Sequence, residues 1–257
     1  MDERHLFDWK GQKVIVTGGA SGMGYETARL FGLYGAKVCI IDISDKLEET
    51  AGRLKEATGA EYQTVRANLS DSADRKRGFA EAAACLEGEL DVLVNCAGIQ
   101  YTCDSVDFPE EAWKKVLSVN LDAVFDLSQM AGRMMLKKGH GKIINYASML
   151  SYIGGFRVPA YAASKGAVVQ LTKALSNEWA AQGIQVNAVA PGYIMTPLNL
   201  ASSFPETERG KFILSRIPAG RWGEPEEIAA VVLFLASPAA SYMTGAVVPV
   251  DGGFAAS

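Results

Sequence analysis

Two hydrophobic rhythms alternate along this chain. Short runs of aliphatic and β-branched residues stand between longer stretches in which apolar positions recur every three or four residues, the marks of buried strands and amphipathic helices. Lys13-Val14-Ile15-Val16-Thr17 is the first strand run; it passes directly into Gly18-Gly19-Ala20-Ser21-Gly22-Met23-Gly24, and helical spacing follows over 25–34. The same spacing rules predict strands at 37–41, 61–67, 91–95, 142–147, 185–190 and 246–250, and helices at 44–58, 73–86, 110–120, 121–138, 161–182 and 226–236. Val/Ile-rich strands that each feed a helix predict the α/β class: a doubly wound parallel sheet of about seven strands with helices on both faces. No Pro/Ser-rich linker, internal repeat or heptad run interrupts the alternation, so residues 1–257 are expected to form a single domain.

Composition removes several function classes. With 257 residues, 49% hydrophobic and 21% charged, the chain has an ordinary globular balance and enough apolar side chains for a large core. The net charge is −4, and the basic residues are dispersed apart from Arg75-Lys76-Arg77 and Lys137-Lys138, which read as solvated helix faces; nothing favours nucleic acid. No apolar span is long enough to cross a membrane, and Asp2, Glu3, Arg4 and His5 stand where a signal peptide would be apolar, so the expected location is cytoplasmic. Cys39, Cys85, Cys96 and Cys103 lack Cys-x-x-Cys spacing and read as small apolar filler; with only His5 and His140 besides, no metal site is expected.

A strand, a glycine turn and a helix in succession suit a dinucleotide. Gly18 permits the tight turn, Gly22 lets backbone approach a pyrophosphate, Gly24 lets the helix pack closely on the strand, and the helix N-terminus turns unpaired N–H groups toward the anion. The spacing is Gly-x-x-x-Gly-x-Gly rather than Gly-x-Gly-x-x-Gly, and an ordinary glycine-rich loop is the alternative. Asp42 ends the second strand, roughly 20 residues past the turn, where a carboxylate accepts from an adenosine ribose 2′-hydroxyl and repels a 2′-phosphate. Neither Ser21 nor Ile43 offers a compensating cation, so NAD is expected over NADP; alternatively Asp42 only leads into the helix near Ser44.

Tyr161 and Lys165 stand four residues apart, about one helical turn, so phenol and ammonium project from one face, and a nearby cation lowers a tyrosine pKa from its usual ~10. Ser148 ends an apolar strand thirteen residues before Tyr161. A lone Tyr/Lys pair is usually a half-buried aromatic beside a solvated charge. Downstream of a dinucleotide turn, the three residues form a candidate proton-transfer site.

Thr17 to Gly24, Asn95-Cys96-Ala97-Gly98, and Ser148 with Tyr161 and Lys165 together resemble the short-chain dehydrogenase/reductase family, and the likeness runs end to end through Val119-Asn120-Leu121, Pro191-Gly192, Thr196 and Val250-Asp251-Gly252-Gly253. The resemblance implies a Rossmann-type fold in which Tyr161 is the general acid/base, Lys165 lowers its pKa and holds the nicotinamide ribose, Ser148 hydrogen-bonds the substrate oxygen, and Asn120 holds a water in a proton relay. It implies cofactor contacts from Gly18, Ser21, Gly22, Met23, Gly24, Asp42 and Ile43, from Asn68, Leu69, Asn95, Ala97 and Gly98, and from Tyr161, Lys165, Pro191, Gly192, Ile194 and Thr196. Two positions depart from the family pattern: Cys96 replaces an Asn, and Asn68 replaces an Asp, though its amide oxygen can still accept from an adenine amino group. The hydride chemistry belongs to the nicotinamide, so no metal is implied.

Ala147-Ser148-Met149-Leu150-Ser151, Gly154-Gly155-Phe156-Arg157-Val158-Pro159, Asn177-Glu178-Trp179 and Ile217-Pro218-Ala219-Gly220-Arg221-Trp222-Gly223 are similar to the family's sugar-acid branch, the 2-dehydro-3-deoxy-gluconate, 2-deoxy-gluconate and gluconate 5-dehydrogenases. Arg157, between the serine and the tyrosine, can pair with a carboxylate or form a salt bridge at a subunit contact, and Gln100 and Tyr101 would line the same cleft. Tyr101-Thr102-Cys103 replaces basic residues often found in that branch, and Thr196-Pro197 looks like the broader family. The expected substrate is therefore a small secondary alcohol or ketone of a sugar acid or polyol. A reductase of steroid or acyl ketones, a silent NAD-binding scaffold, and a dehydratase or epimerase are the alternatives. The retained Asn120, Ser148, Tyr161 and Lys165 speak against silence, and the polar run from Ser202 to Arg209 speaks against apolar substrates. Residues 198–216, anchored by Phe204 and Phe212, read as a lid. The resemblance also implies a homotetramer that pairs the helices at 121–138 and 161–182 and the last strand.

Overall fold

The computed structural model describes residues 6–201 and 204–256. His5, and Ser202 and Ser203 of the expected lid, lie outside the described residues. The strands are β1 Lys13–Thr17, β2 Lys37–Asp42, β3 Tyr62–Arg66, β4 Val92–Asn95, β5 Gly141–Tyr146, β6 Ile184–Pro191 and β7 Val247–Val250. Between them run α1 Gly22–Leu33, α2 Leu47–Thr58, α3 Ser72–Cys85, α4 Glu110–Leu117, α5 Ala123–Lys138, α6 Pro159–Trp179, α7 Pro197–Ala201, α8 Glu208–Ser215 and α9 Pro225–Ala236.

The strands form one parallel sheet in the order β3-β2-β1-β4-β5-β6-β7. Each strand presents alternate residues to opposite faces, and both faces are covered, which is why the strands read as continuous apolar runs. Val14, Val16, Ile40 and Ile144 pack on one face with Phe31 of α1, Leu54 of α2 and Val232 of α9. Ile15, Ile41, Leu93 and Ile143 pack on the other with Phe79 of α3, Leu127 of α5 and Leu175 of α6. The single-domain, doubly wound architecture expected from the sequence is the one observed.

Three local features differ from the sequence-based expectation. The helices expected at 110–120 and 121–138 join through a π-helical turn, Ser118–Asp122, which carries Asn120 fully into the interior; such single-turn bulges leave no trace in hydrophobic periodicity. The 198–216 segment is largely helical, with α7, a 3-10 turn at Phe204–Glu206, and α8. Arg75 is not solvated: it is buried, with its Nε 2.7 Å from Asp126, because an ion pair lets a guanidinium enter the core.

The chain order reverses across the central pair β1 and β4. In a doubly wound sheet the crevice at such a switch point, beyond the C-terminal strand ends, receives the ligand. Those ends deliver Thr17, Asn95, Tyr146 and Pro191, each followed by one of the segments singled out above. Among the described residues no helix is long and apolar enough to cross a membrane.

Candidate active site

The glycine turn is tight at its two ends. Gly18 has φ +71°, and a Cβ on Gly24 would lie 2.1 Å from the Gly18 carbonyl oxygen, so α1 starts hard against the strand it follows. Ser21 is the N-cap of α1 in extended conformation and makes no side-chain capping bond, leaving the first N–H groups of the helix without an intrahelical partner. Thr196 faces the turn: its Cγ2 would be 3.6 Å from a Cβ on Gly22.

Thr17 holds the second cofactor-side turn. Its hydroxyl accepts from the N–H groups of Cys96 and Ala97, both at 3.1 Å. Asn95 itself is buried and faces inward; its Nδ2 donates to Asn145 Oδ1 at 2.9 Å and Ser128 Oγ at 3.1 Å. Cys96, Ala97 and Gly98, rather than the Asn95 side chain, border the cleft.

Asn120 clamps the far side of that turn. Its Oδ1 accepts from Ile99 N–H at 2.8 Å, while its Nδ2 donates to Ile99 O at 2.9 Å and Ser164 Oγ at 3.1 Å. Both amide protons are used, and one lone pair of Oδ1 is left for a water.

Ser148 ends the strand region and caps the 3-10 turn Met149–Ser151, its Oγ accepting from Leu150 N–H at 3.1 Å. Its hydroxyl also meets the Tyr161 phenol. Ser151 Oγ donates to the Lys165 carbonyl at 2.8 Å, tying this turn to α6. Lys165, buried on α6, donates from Nζ to the Tyr146 carbonyl at 2.6 Å and lies 5.7 Å from the Tyr161 ring centroid. The structure thus gathers Asn120, Ser148, Tyr161 and Lys165 around one point beside Gly98, whose added Cβ would sit 3.6 Å from Lys165 Nζ.

Burial governs the electrostatics. It lowers Lys165 from its ordinary 10.5 to about 8. It also raises Tyr161 above 10, opposed by a hydrogen bond with Ser148. Desolvation outweighs that bond, so Tyr161 lies above its ordinary value where Lys165 was expected to lower it. Cys96 is pushed up to about 12 by burial and stays a neutral thiol.

Asp42 is fixed at the β2 terminus. Oδ2 accepts from Ala20 N–H and Oδ1 from Ser44 N–H, both at 3.0 Å, so the carboxylate bridges the glycine turn and the start of the next segment. Ile43 beside it is exposed. Asn68 departs from expectation: its Oδ1 already accepts from Ser70 N–H and Oγ–H, at 3.1 and 2.8 Å, and both lone pairs are occupied. Leu69 is buried with its carbonyl facing Arg75, and Ile194 is buried in the core. Met23 packs on that core, and Gly192 meets Asp251, whose Cα would be 2.7 Å from an added Cβ.

On the substrate side, Arg157 takes φ +63° and pairs through Nε with Asp104 at 2.8 Å, while Gln100 is exposed and contacts Thr102. The 198–216 segment adds a wall that sequence periodicity did not show. Ile213 and Ile217 cluster with Met149, Trp222 and Phe254, and Tyr193 and Phe204 pack against them. Arg209 of α8 donates from Nη2 to the Phe156 carbonyl at 3.1 Å, its guanidinium carbon 4.9 Å from the Phe156 ring centroid.

Known proteins resemble this chain over nearly its whole length. A family model described as enoyl-(acyl carrier protein) reductase matches residues 18–255. The 2-dehydro-3-deoxy-D-gluconate 5-dehydrogenase of Bacillus subtilis (strain 168) is 46% identical over 248 residues, covering 96% of each chain. Galactitol 2-dehydrogenase (L-tagatose-forming) of Cereibacter sphaeroides is 42% identical over 257 residues, covering 99% of each. A solved structure described as an NAD(P)-dependent gluconate 5-dehydrogenase from Beutenbergia cavernae, with NADP bound at low occupancy, superposes with a TM-score of 0.93 at 43% identity, covering 98% of this chain and 100% of that one.

Proposed function

This chain belongs to the short-chain dehydrogenase/reductase family of oxidoreductases, and we propose that it moves hydride between NAD and a secondary alcohol or ketone of a sugar acid or polyol, with Tyr161 as general acid/base. The observation that carries this reading is the convergence of Ser148, Tyr161 and Lys165 beside the Gly98 turn, at the sheet's switch point.

The residues fit a nicotinamide dinucleotide: a turn with no room for a Cβ at Gly18, Gly19 or Gly24, a helix N-terminus with free N–H groups, and a carboxylate at the end of β2. Gly18, Ser21, Gly22, Met23 and Gly24 would take the pyrophosphate side, Asp42 the adenosine ribose, and Lys165 the nicotinamide ribose. Ala97, Gly98, Pro191, Gly192 and Thr196 would border the rest. When bound, the dinucleotide supplies the hydride acceptor or donor.

The protein's own groups handle the proton. Ser148 turns its hydroxyl proton from Tyr161 to the substrate oxygen, and Tyr161 takes the substrate hydroxyl proton in oxidation or returns it in reduction. Lys165 puts a positive charge beside the phenol and so stabilises the phenolate. A water on the remaining Oδ1 lone pair of Asn120 carries the relay onward. Residues 198–216 act as the lid, and its wall excludes water from the reacting centre.

Asp42 favours NAD, since a 2′-phosphate there would meet a fixed carboxylate; the Beutenbergia cavernae relative holds NADP, which makes cofactor choice a point to measure. The sugar-acid and polyol substrates of the relatives from Bacillus subtilis and Cereibacter sphaeroides support the substrate class. A homotetramer through α5, α6 and β7 is part of the same proposal, and light scattering of the purified protein would test it. The functional test is the appearance of NADH when purified protein meets NAD and a panel of aldonates, hexitols and steroid alcohols. Turnover of aldonates or hexitols supports the proposal, and turnover confined to steroid alcohols overturns its substrate class.

A further inference from the structure

Arg157 was the expected reader of a substrate carboxylate, but its guanidinium is exposed and already paired with Asp104. A second arginine is better placed. Arg209 stands in the first turn of α8, four residues before Ile213, so the two share a helix face. Ile213 packs in the cluster that contains Met149, the residue next to Ser148. Arg209 also reaches across to the 154–158 loop that leads into Tyr161, donating to the Phe156 carbonyl. It therefore links α8 to the loop that precedes α6, the helix carrying Tyr161.

Its contacts leave it unneutralised. The carbonyl and ring of Phe156 are uncharged partners, and among the described residues no carboxylate pairs with Arg209, whereas Arg157 and Arg221 around the same region are paired with Asp104 and Glu227. A guanidinium has five N–H donors in a planar fork, and one is used here. The Phe156 ring beside the guanidinium is itself exposed, so the charge stays accessible to an anion from solution.

We propose that Arg209, rather than Arg157, binds the carboxylate of an aldonate or ketoaldonate substrate, so that α8 reads the acid end while Ser148 and Tyr161 hold the reacting hydroxyl. This assignment rests on the sugar-acid reading above. Closing the lid then brings the specificity residue and the water-excluding wall into place together.

The test compares kcat and KM for an aldonate and for the neutral hexitol of matching configuration, in wild type, Arg209→Ala, Arg209→Lys and Arg157→Ala. The expected result is a roughly 10- to 100-fold fall in the acid-over-hexitol ratio of kcat/KM in Arg209→Ala, carried mainly by KM and largely restored in Arg209→Lys. Arg209→Gln, which can still donate to the Phe156 carbonyl, gives the same comparison if the alanine variant does not fold. A ratio within twofold of wild type in Arg209→Ala, or a fall that follows Arg157→Ala instead, overturns the role of Arg209 while leaving the sugar-acid reading intact. A wild-type enzyme inert toward every aldonate overturns both.

Discussion

Lys165 Nζ donates to the backbone carbonyl of Tyr146 at 2.6 Å, inside the protein, where both residues are buried. That contact gives the ammonium one neutral acceptor, and burial lowers its pKa from 10.5 to about 8. Below pH 8 the folded protein carries the full cost of a buried cation. Between pH 8 and 10.5 the folded state loses that proton while the unfolded state keeps it, so wild-type stability gains from Lys165 titration as pH rises. Cys96, near 12, and Tyr161, raised above 10, stay neutral through most of that window. Lys165→Met is expected to lose ground to wild type by about 3 kcal/mol between pH 7 and pH 10.5. Urea unfolding of both proteins at the two pH values measures it, and a pH-independent difference would deny the lysine its shifted pKa.

Asp42 accepts from Ala20 N–H and Ser44 N–H, which fixes its carboxylate at the end of β2. Replacing it with alanine removes the charge opposed to a 2′-phosphate as well as the acceptor for a ribose hydroxyl. Asp42→Ala should lower the NAD:NADP ratio of kcat/KM by about tenfold or more. Steady-state rates with both cofactors decide it, and an unchanged ratio would remove Asp42 from cofactor choice.

The Thr17 hydroxyl accepts from two backbone N–H groups, Cys96 and Ala97, in a buried setting. Thr17→Val keeps the shape and removes the acceptor, so two donors lose their partner. The expected cost is about 2–4 kcal/mol in urea unfolding, with weaker NADH binding as the 96–98 turn loosens. Stability within half a kcal/mol (about the scatter of a surface substitution) would show that water replaces the hydroxyl.

The parts legible in the sequence were those set by one local rule. Lys13 to Thr17 could be read as a strand because both its faces are buried, the glycine turn because backbone needs room there, and Tyr161 with Lys165 because four residues make one helical turn. What escaped depends on distant partners. Arg75 is buried because Asp126, far along the chain, meets it. Asn120 points inward because of a π turn, and Asn68 loses its free oxygen to a side chain two residues away. Arg209 reads as one charge in a polar segment until the fold sets it against Phe156. The clue available beforehand was the four-residue spacing from Arg209 to Ile213, which marks one face of a helix in a segment read as an irregular lid.

The most direct test of the account is Tyr161→Phe, assayed by NADH absorbance on whichever aldonate or hexitol the wild type turns over best, with NADH affinity followed by fluorescence. The phenylalanine keeps the ring beside Lys165 and removes only the proton-transferring oxygen. The account predicts a loss of kcat of roughly 10²- to 10⁴-fold with NADH affinity within a few-fold of wild type; near-normal turnover would contradict it.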